Sequence, residues 1–227
     1  MSEPRRHHRY TYDDYVALEM FSADKHEFLD GEIYAMAGGS EEHSALAAEM
    51  VRMLGNTVGD DSPCRVHTLD LRIFVESVGL ATFPDCSVIC GPLLQHELGP
   101  KATALNPMIL VEVTSDSSEE YDRGLKLEYY RSIPTLREYV VVSHRERRIV
   151  VETRGNDGTW ASRACLRPQS PRRPEGKWAA SRRRPAHAWT RNIRSWFSPP
   201  PIARTSRSTR DGLCSPAREM AIWFLRW

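Results

Sequence analysis

The residue best placed to do chemistry is Glu112, which interrupts the apolar run Ile109, Leu110, Val111 and Val113. An ionised carboxylate in the middle of such a run cannot be left dry, so a cation or several hydrogen-bond donors must sit beside it. Asp85 follows Pro84 in the preceding apolar segment, and neighbouring strands would bring the two carboxylates together at one edge of a sheet. Two hard oxygen ligands with open positions for water suit Mg²⁺, which takes few protein ligands and keeps much of its hydration. Lys126, fourteen residues beyond Glu112, falls on the segment that follows the strand and can reach back over it. A lysine there can orient or deprotonate an attacking water, or neutralise charge developing on a scissile phosphate.

Several elements must form to position these groups. Thr11 is placed to cap a short helix, YDDYVALEMF. HEFLDGEIYAM carries Asp30-Gly31 between two half-apolar runs, the signature of a tight hairpin turn. Ser40 caps a second helix, in which Leu46, Met50, Met53 and Leu54 recur at the spacing of one buried face, with an end near Gly55 to Gly59. Residues 66–75 alternate, with Leu69, Leu71, Ile73 and Val75 on one face and Asp70, Arg72 and Phe74 on the other, predicting one strand. TFPDCSVIC and MILVEVT read as strands, the second covered on both faces. EEYDRGLKLEYYRS reads as one helix stopped by Pro134, followed by the strands REYVVVSH, RRIVVETR and TWASR. This order predicts an α/β (α+β) domain with a central mixed β-sheet flanked by helices.

Pro84-Asp85, the Glu112-Val113 strand and the displaced Lys126 resemble the PD-(D/E)XK nuclease superfamily, in a variant whose lysine has moved from the strand to the adjoining helix. More closely, HEFLDGEIYAMAG, the SEEH helix start, HTLDLRIFV, TFPDCSVIC and NPMILVEVTSDSSEEYDRGLKLEYYRSIPTLREYVVV resemble the Uma-two family of restriction endonucleases, from about Tyr10 to about Arg163. The resemblance implies a restriction-endonuclease-like core, a homodimer and hydrolysis of DNA phosphodiesters. In it Asp85 and Glu112 hold Mg²⁺ or Mn²⁺ and Lys126 assists the water. By the same resemblance Glu27 and Asp70 point into the same cleft, and His43 contacts a phosphate or helps position water. Ser115 to Ser118, just ahead of a helix N-terminus, are a candidate phosphate contact.

Each residue also has a plainer reading. Asp85 could cap a strand end, Glu112 could pair with Arg72, Lys126 could pair with Asp122 on an exposed helix face, and Glu27, Asp70 and His43 could be ordinary surface or first-turn residues. The ordered set across one domain outweighs them. A catalytically inactive nucleic-acid-binding protein on the same fold is the alternative function.

Charge divides the chain. Residues 1–163 hold 17 Lys+Arg against 27 Asp+Glu, net −10, whereas residues 164–227 hold 14 against 3, net +11, with five of the six tryptophans and eight of the fifteen prolines. The first part is the expected nuclease domain. Its negative charge opposes DNA binding, although Arg145, Arg147 and Arg148 offer a local basic patch. The second part lacks periodicity and the further strands and apolar helix that the resembled family would continue with. Its Arg/Pro/Ser/Trp bias suits a shifted reading frame of GC-rich DNA near codon 164, or else a basic arm for single-stranded nucleic acid. The five scattered cysteines suit reduced intracellular thiols, with no zinc motif at Cys86 and Cys90, and no segment suits a membrane span, so a cytoplasmic protein is expected.

Overall fold

A computed structural model describes residues 9–97 and 102–166; the tail beyond Leu166, with its frameshift and basic-arm readings, lies outside them. The chain opens with α1 (Tyr12–Phe21), whose N-terminus is closed by a capping box between Thr11 and Asp14. The hairpin β1 (His26–Leu29) and β2 (Glu32–Ala35) turns at Asp30-Gly31, which take φ values of 45° and 90°, the conformation that such a two-residue turn requires. Helix α2 (Glu41–Val58) starts at the Ser40 cap and stops at Gly59 with φ of 70°. Its buried face holds Leu46, Met50, Met53 and Leu54, as the spacing predicts.

The segment 66–75 does not form one strand. β3 (Cys64–Thr68) ends at a turn, and the chain resumes as β4 (Arg72–Val75) in a different sheet. Alternation continues across the break because Leu71, Ile73 and Val75 still enter the core, but Leu69 sits in the turn and is 40% exposed. Next come β5 (Leu80–Thr82), β6 (Cys86–Cys90), the short β7 (Thr103–Ala104) and β8 (Ile109–Val113). The expected single helix after β8 is broken into α3 (Glu119–Arg123) and α4 (Leu125–Arg131) at Gly124. A Cβ there would lie 2.9 Å from the Glu120 carbonyl oxygen, so this bend needs glycine. β9 (Glu138–Val142), β10 (Arg148–Arg154) and β11 (Trp160–Leu166) follow, the last running three residues past the boundary expected at 163.

The α/β class is the one predicted, with its strands divided between two mixed sheets. One has the order β2-β1-β5-β4-β7 and the other β11-β10-β9-β8-β6-β3. The parallel pair β8–β9 lies inside the second sheet, and every residue of both strands is buried. Helix α2 covers one face of that sheet through Leu46, Met50 and Leu54 against Val88, Val111 and Val140. Its other face packs Leu110, Tyr139 and Val141 against Ile73, Val75 and Leu80 of the first sheet, together with Tyr130 of α4. Helix α1 seals the outer face of the first sheet with Tyr15 and Val16 on Phe28 and Ala81.

Two buried features depart from the sequence reading. The antiparallel register of β3 and β6 sets Cys64 opposite Cys90, and the two are joined by a disulfide rather than standing as separate thiols. Arg72 is 1% exposed yet does not pair with Glu112. Its guanidinium lies 5.3 to 6.0 Å from the rings of Tyr15, Tyr12 and Phe83, and Nε donates to Thr103 Oγ1 at 2.9 Å.

Glu138, at the start of β9, has a buried Oε2 without a partner, and burial pushes its carboxyl up to about 7. Because the folded value exceeds the unfolded one, its contribution to stability is complete below about pH 4.5 and is lost as pH rises through about 7. Between about pH 5 and pH 8 this group should remove up to about 3 kcal/mol of unfolding free energy. Glu138→Gln, neutral throughout, should flatten that slope in urea denaturation. An unchanged slope would show that Glu138 does not titrate in this range.

Candidate active site

Three elements converge on one ammonium group. β8 presents Glu112, β1 presents Glu27 and the start of α4 presents Lys126. Lys126 Nζ lies 2.8 Å from Glu27 Oε1, 3.0 Å from Glu112 Oε1 and 3.7 Å from Asp122 Oδ1. The Tyr130 hydroxyl donates to the same Glu112 oxygen at 2.8 Å, and the Thr82 hydroxyl donates to Glu27. None of these four charged side chains is more than 12% exposed. Ring contacts close the shell, with Tyr121 and Tyr130 centred 5.5 and 5.9 Å from the ammonium.

Asp85 joins from the other side of β8. The pairing of Cys86 with Val111 carries the residue before β6 up to the end of β8, where the Val113 N–H donates to Asp85 Oδ2 at 2.7 Å. His43, in the first turn of α2, sets Nε2 at 3.3 Å from the same oxygen. Gly39 makes room for that ring, since a Cβ there would come 2.5 Å from His43 Nδ1.

Charge is unbalanced in this cluster. Four carboxylates, Glu27, Asp85, Glu112 and Asp122, face one ammonium and one imidazole. Burial works against the charged form of Lys126, but Glu112, Glu27 and Asp122 together outweigh it and hold its pKa well above the usual lysine value. Each acid is undercompensated in turn. Burial, with Asp122 and Asp85 adding repulsion, pushes Glu112 up to about 8 despite Lys126, and burial raises Asp122 as well. Lys126 meets several anions at once, whereas each acid has only a share of one cation to set against its burial.

Glu112 takes both its contacts on Oε1, and Asp85 takes both of its own on Oδ2. The second oxygen of each carboxylate therefore carries none of these bonds. Among the described residues no three His, Cys, Asp or Glu side chains are grouped to hold a metal ion by themselves.

Of the residues expected from sequence, Glu27, Asp85, Glu112, Lys126 and His43 come together. Asp70 does not join them. The turn between β3 and β4 carries it to the surface, 83% exposed, where Lys25 Nζ donates to its carboxylate at 2.6 Å. Ser115 lies in the loop after β8, its N–H and hydroxyl bonded to Ser118 Oγ at 3.0 Å, with Ser117 Oγ a further 3.1 Å from its hydroxyl. Tyr130 is the site residue that sequence reasoning passed over, and Asp122, read only as an exposed partner of Lys126, pairs with it in a buried site. They stand four residues to either side of Lys126, and that spacing was the available signal.

The His43 imidazole has its pKa raised chiefly by the Asp85 carboxylate, against a smaller opposing effect of burial. Asp85→Asn should therefore bring the His43 pKa down to or below its ordinary value of about 6.5, read by NMR titration of the ring proton. A His43 value unmoved by the substitution would break the link between α2 and β6.

Comparison with known proteins agrees with this architecture. The chain is 34% identical over 148 residues to the uncharacterized protein slr1290 of Synechocystis, spanning 65% of this chain and 76% of that one. It is 29% identical over 150 residues to the uncharacterized protein sll1609 of the same organism, covering 66% and 84%. A crystal structure from Anabaena variabilis, titled "a putative nuclease belonging to DUF820", superposes with a TM-score of 0.53 at 18% identity, covering 66% of this chain and 80% of that one, a likeness of fold. Residues 12–177 match the family model described as "Uma2: Putative restriction endonuclease", and with Glu27, Asp85, Glu112 and Lys126 all inside that span, the chain belongs to this family.

Proposed function

We propose that this protein is a metal-dependent endonuclease that hydrolyses DNA phosphodiester bonds at the Lys126 cluster. The observation that carries the reading is the buried excess of carboxylate around a single lysine. Buried charge of one sign is costly unless something of the other sign arrives, and here Asp85 Oδ1 and Glu112 Oε2 are the oxygens left to meet it. That donor set suits Mg²⁺ or Mn²⁺, hard ions content with one or two carboxylates when water and phosphate complete the sphere. When bound, such an ion supplies Lewis acidity toward the phosphate and lowers the pKa of water.

The chain's own residues divide the remaining work. Lys126 keeps its proton, so it serves as a fixed positive charge and donor toward the phosphate or the attacking water rather than as a base. Glu27, Asp122 and Tyr130 hold it and Glu112 in place. The Val113 N–H and His43 fix the orientation of Asp85, and His43, 18% exposed, is accessible enough to serve as a phosphate or water contact. The homodimer implied by the family would supply one centre per DNA strand.

Mg²⁺ or Mn²⁺ titration calorimetry and plasmid nicking on the same preparations test this. Asp85→Ala and Glu112→Gln should abolish both. Lys126→Ala should keep metal binding while nicking falls by about 10²- to 10³-fold, the usual effect of removing one transition-state donor. Glu112→Gln that nicks as fast as the parent would discredit the site; metal binding without nicking in the parent would favour an inactive nucleic-acid-binding relative.

A further inference from the structure

Beside the cluster lies a second group of polar side chains that the proposed reaction leaves unused. Two residues past Glu112, β8 gives way at Thr114 to a serine-rich turn, and its parallel neighbour β9 ends alongside at Ser143. The two loops deliver Asp116, His144 and Arg145 to the same edge of the sheet. Three N–H donors converge there on one oxygen. Asp116 Oδ1 lies 2.7 Å from His144 Nε2, 2.8 Å from Arg145 Nε and 2.5 Å from Arg145 Nη2. His144 is braced from behind, with Nδ1 2.9 Å from the hydroxyl of the fully buried Thr114. Since the carboxylate can only accept, Nε2 carries a proton, and in the neutral ring Nδ1 accepts from the threonine. The imidazole is thereby locked with its donor edge outward.

This group has the form of an anion receptor. A guanidinium fork and an imidazole N–H aimed at one point are the donors that proteins turn toward phosphate oxygens. The point lies at the surface, for the Asp116 side chain is 79% exposed and that of Arg145 is 57% exposed. The present occupant is a carboxylate of the same chain, in an exposed pairing of the weak kind that an incoming anion can replace. The turn that carries Asp116 is held by Ser115, which bonds to Ser117 and to Ser118.

We propose that Asp116 is an internal substitute for a phosphate of the DNA backbone, holding Arg145 and His144 in position until nucleic acid displaces it. The contact would fall next to the scissile phosphate, because Thr114 and Glu112 share a strand end. It also explains how a domain with 27 acidic and 17 basic residues in positions 1–163 can take hold of a polyanion at one local point. The Asp116 carboxylate is a cost to binding, released only when the phosphate takes its donors. The inference rests on the nuclease reading above.

Anisotropy of a short labelled DNA duplex in EDTA, across a range of salt, tests it with four proteins: parent, Asp116→Asn, Arg145→Ala and the double variant. Both positions are exposed, so the variants keep the fold, which circular dichroism checks. Arg145→Ala should weaken binding and lower the salt slope by about one, as expected for one lost phosphate contact. Asp116→Asn should strengthen binding by about two- to fivefold, the scale of an exposed ion pair, and that gain should vanish in the Arg145→Ala background. A gain of equal size in both backgrounds would reduce Asp116 to ordinary charge repulsion and overturn the proposal, as would an Arg145→Ala protein with parental affinity and slope. A parent that binds no duplex even at low salt would sink the nucleic-acid reading and this one together, whereas a parent that binds while the variants match it would sink this one alone.

Discussion

The structure is organised around one buried ammonium group. Lys126 is taken out of water almost completely, and an ion so placed must be met by opposite charge at short range or lose its proton. The carboxylates that meet it come from different parts of the chain, Glu27 from one sheet, Glu112 from the other and Asp122 from the short helix before it. The ion pairs therefore tie together two sheets that also pack through apolar side chains such as Ile73, Leu80, Leu110 and Val141. Moving any one of β1, β8 or α4 would leave charge buried without a partner.

Such a cluster is poor material for stability alone, because desolvating several ions costs about as much as their mutual attraction returns. An apolar trio of similar volume would fill the space as well. The excess of acid over base makes the arrangement still less favourable, adding to the burial that displaces the Glu112 and Asp122 carboxyls upward. The proposed metal-dependent hydrolysis would give the surplus a reason, since such a reaction needs uncompensated oxygen ligands fixed in advance of the ion. Elsewhere this chain meets the same problem differently. Arg72, buried even more deeply, lies against aromatic faces and donates from Nε to the Thr103 hydroxyl beneath α1, while its Nη1 is buried without a partner.

The parallel pair β8–β9 explains why chemistry gathers at one edge. Both strands end there, and the loops that follow have to leave the sheet at the same place. Glu112 lies at the end of one strand, the Val113 N–H seizes Asp85 beside it, and the Thr114–His144–Asp116 chain grows from the next residues. Crevices outside the carboxyl ends of parallel strands are favoured binding places for this reason.

Much of this was legible in the residues themselves. A carboxylate inside Ile-Leu-Val-Glu-Val announces a charged partner, Asp30-Gly31 announces a hairpin, and the spacing of Leu46, Met50, Met53 and Leu54 announces a covered helix, because burial and backbone preference act over a few neighbouring positions. Other features depended on distant parts of the chain. Alternation in 66–75 reads through a turn that sends β3 and β4 to different sheets, which strands Asp70 at the surface with Lys25. Cys64 meets Cys90 only through the β3–β6 register, and Arg72 finds aromatic rings where pattern alone allowed a carboxylate. Sequence by itself determined the elements and the need of Glu112 for a cation; tertiary structure decided that Lys126 would be that cation, that Glu27 and Asp122 would share it and that Asp70 would not, since ion pairing in a buried site is set by which side chains the packed sheets bring within about 4 Å.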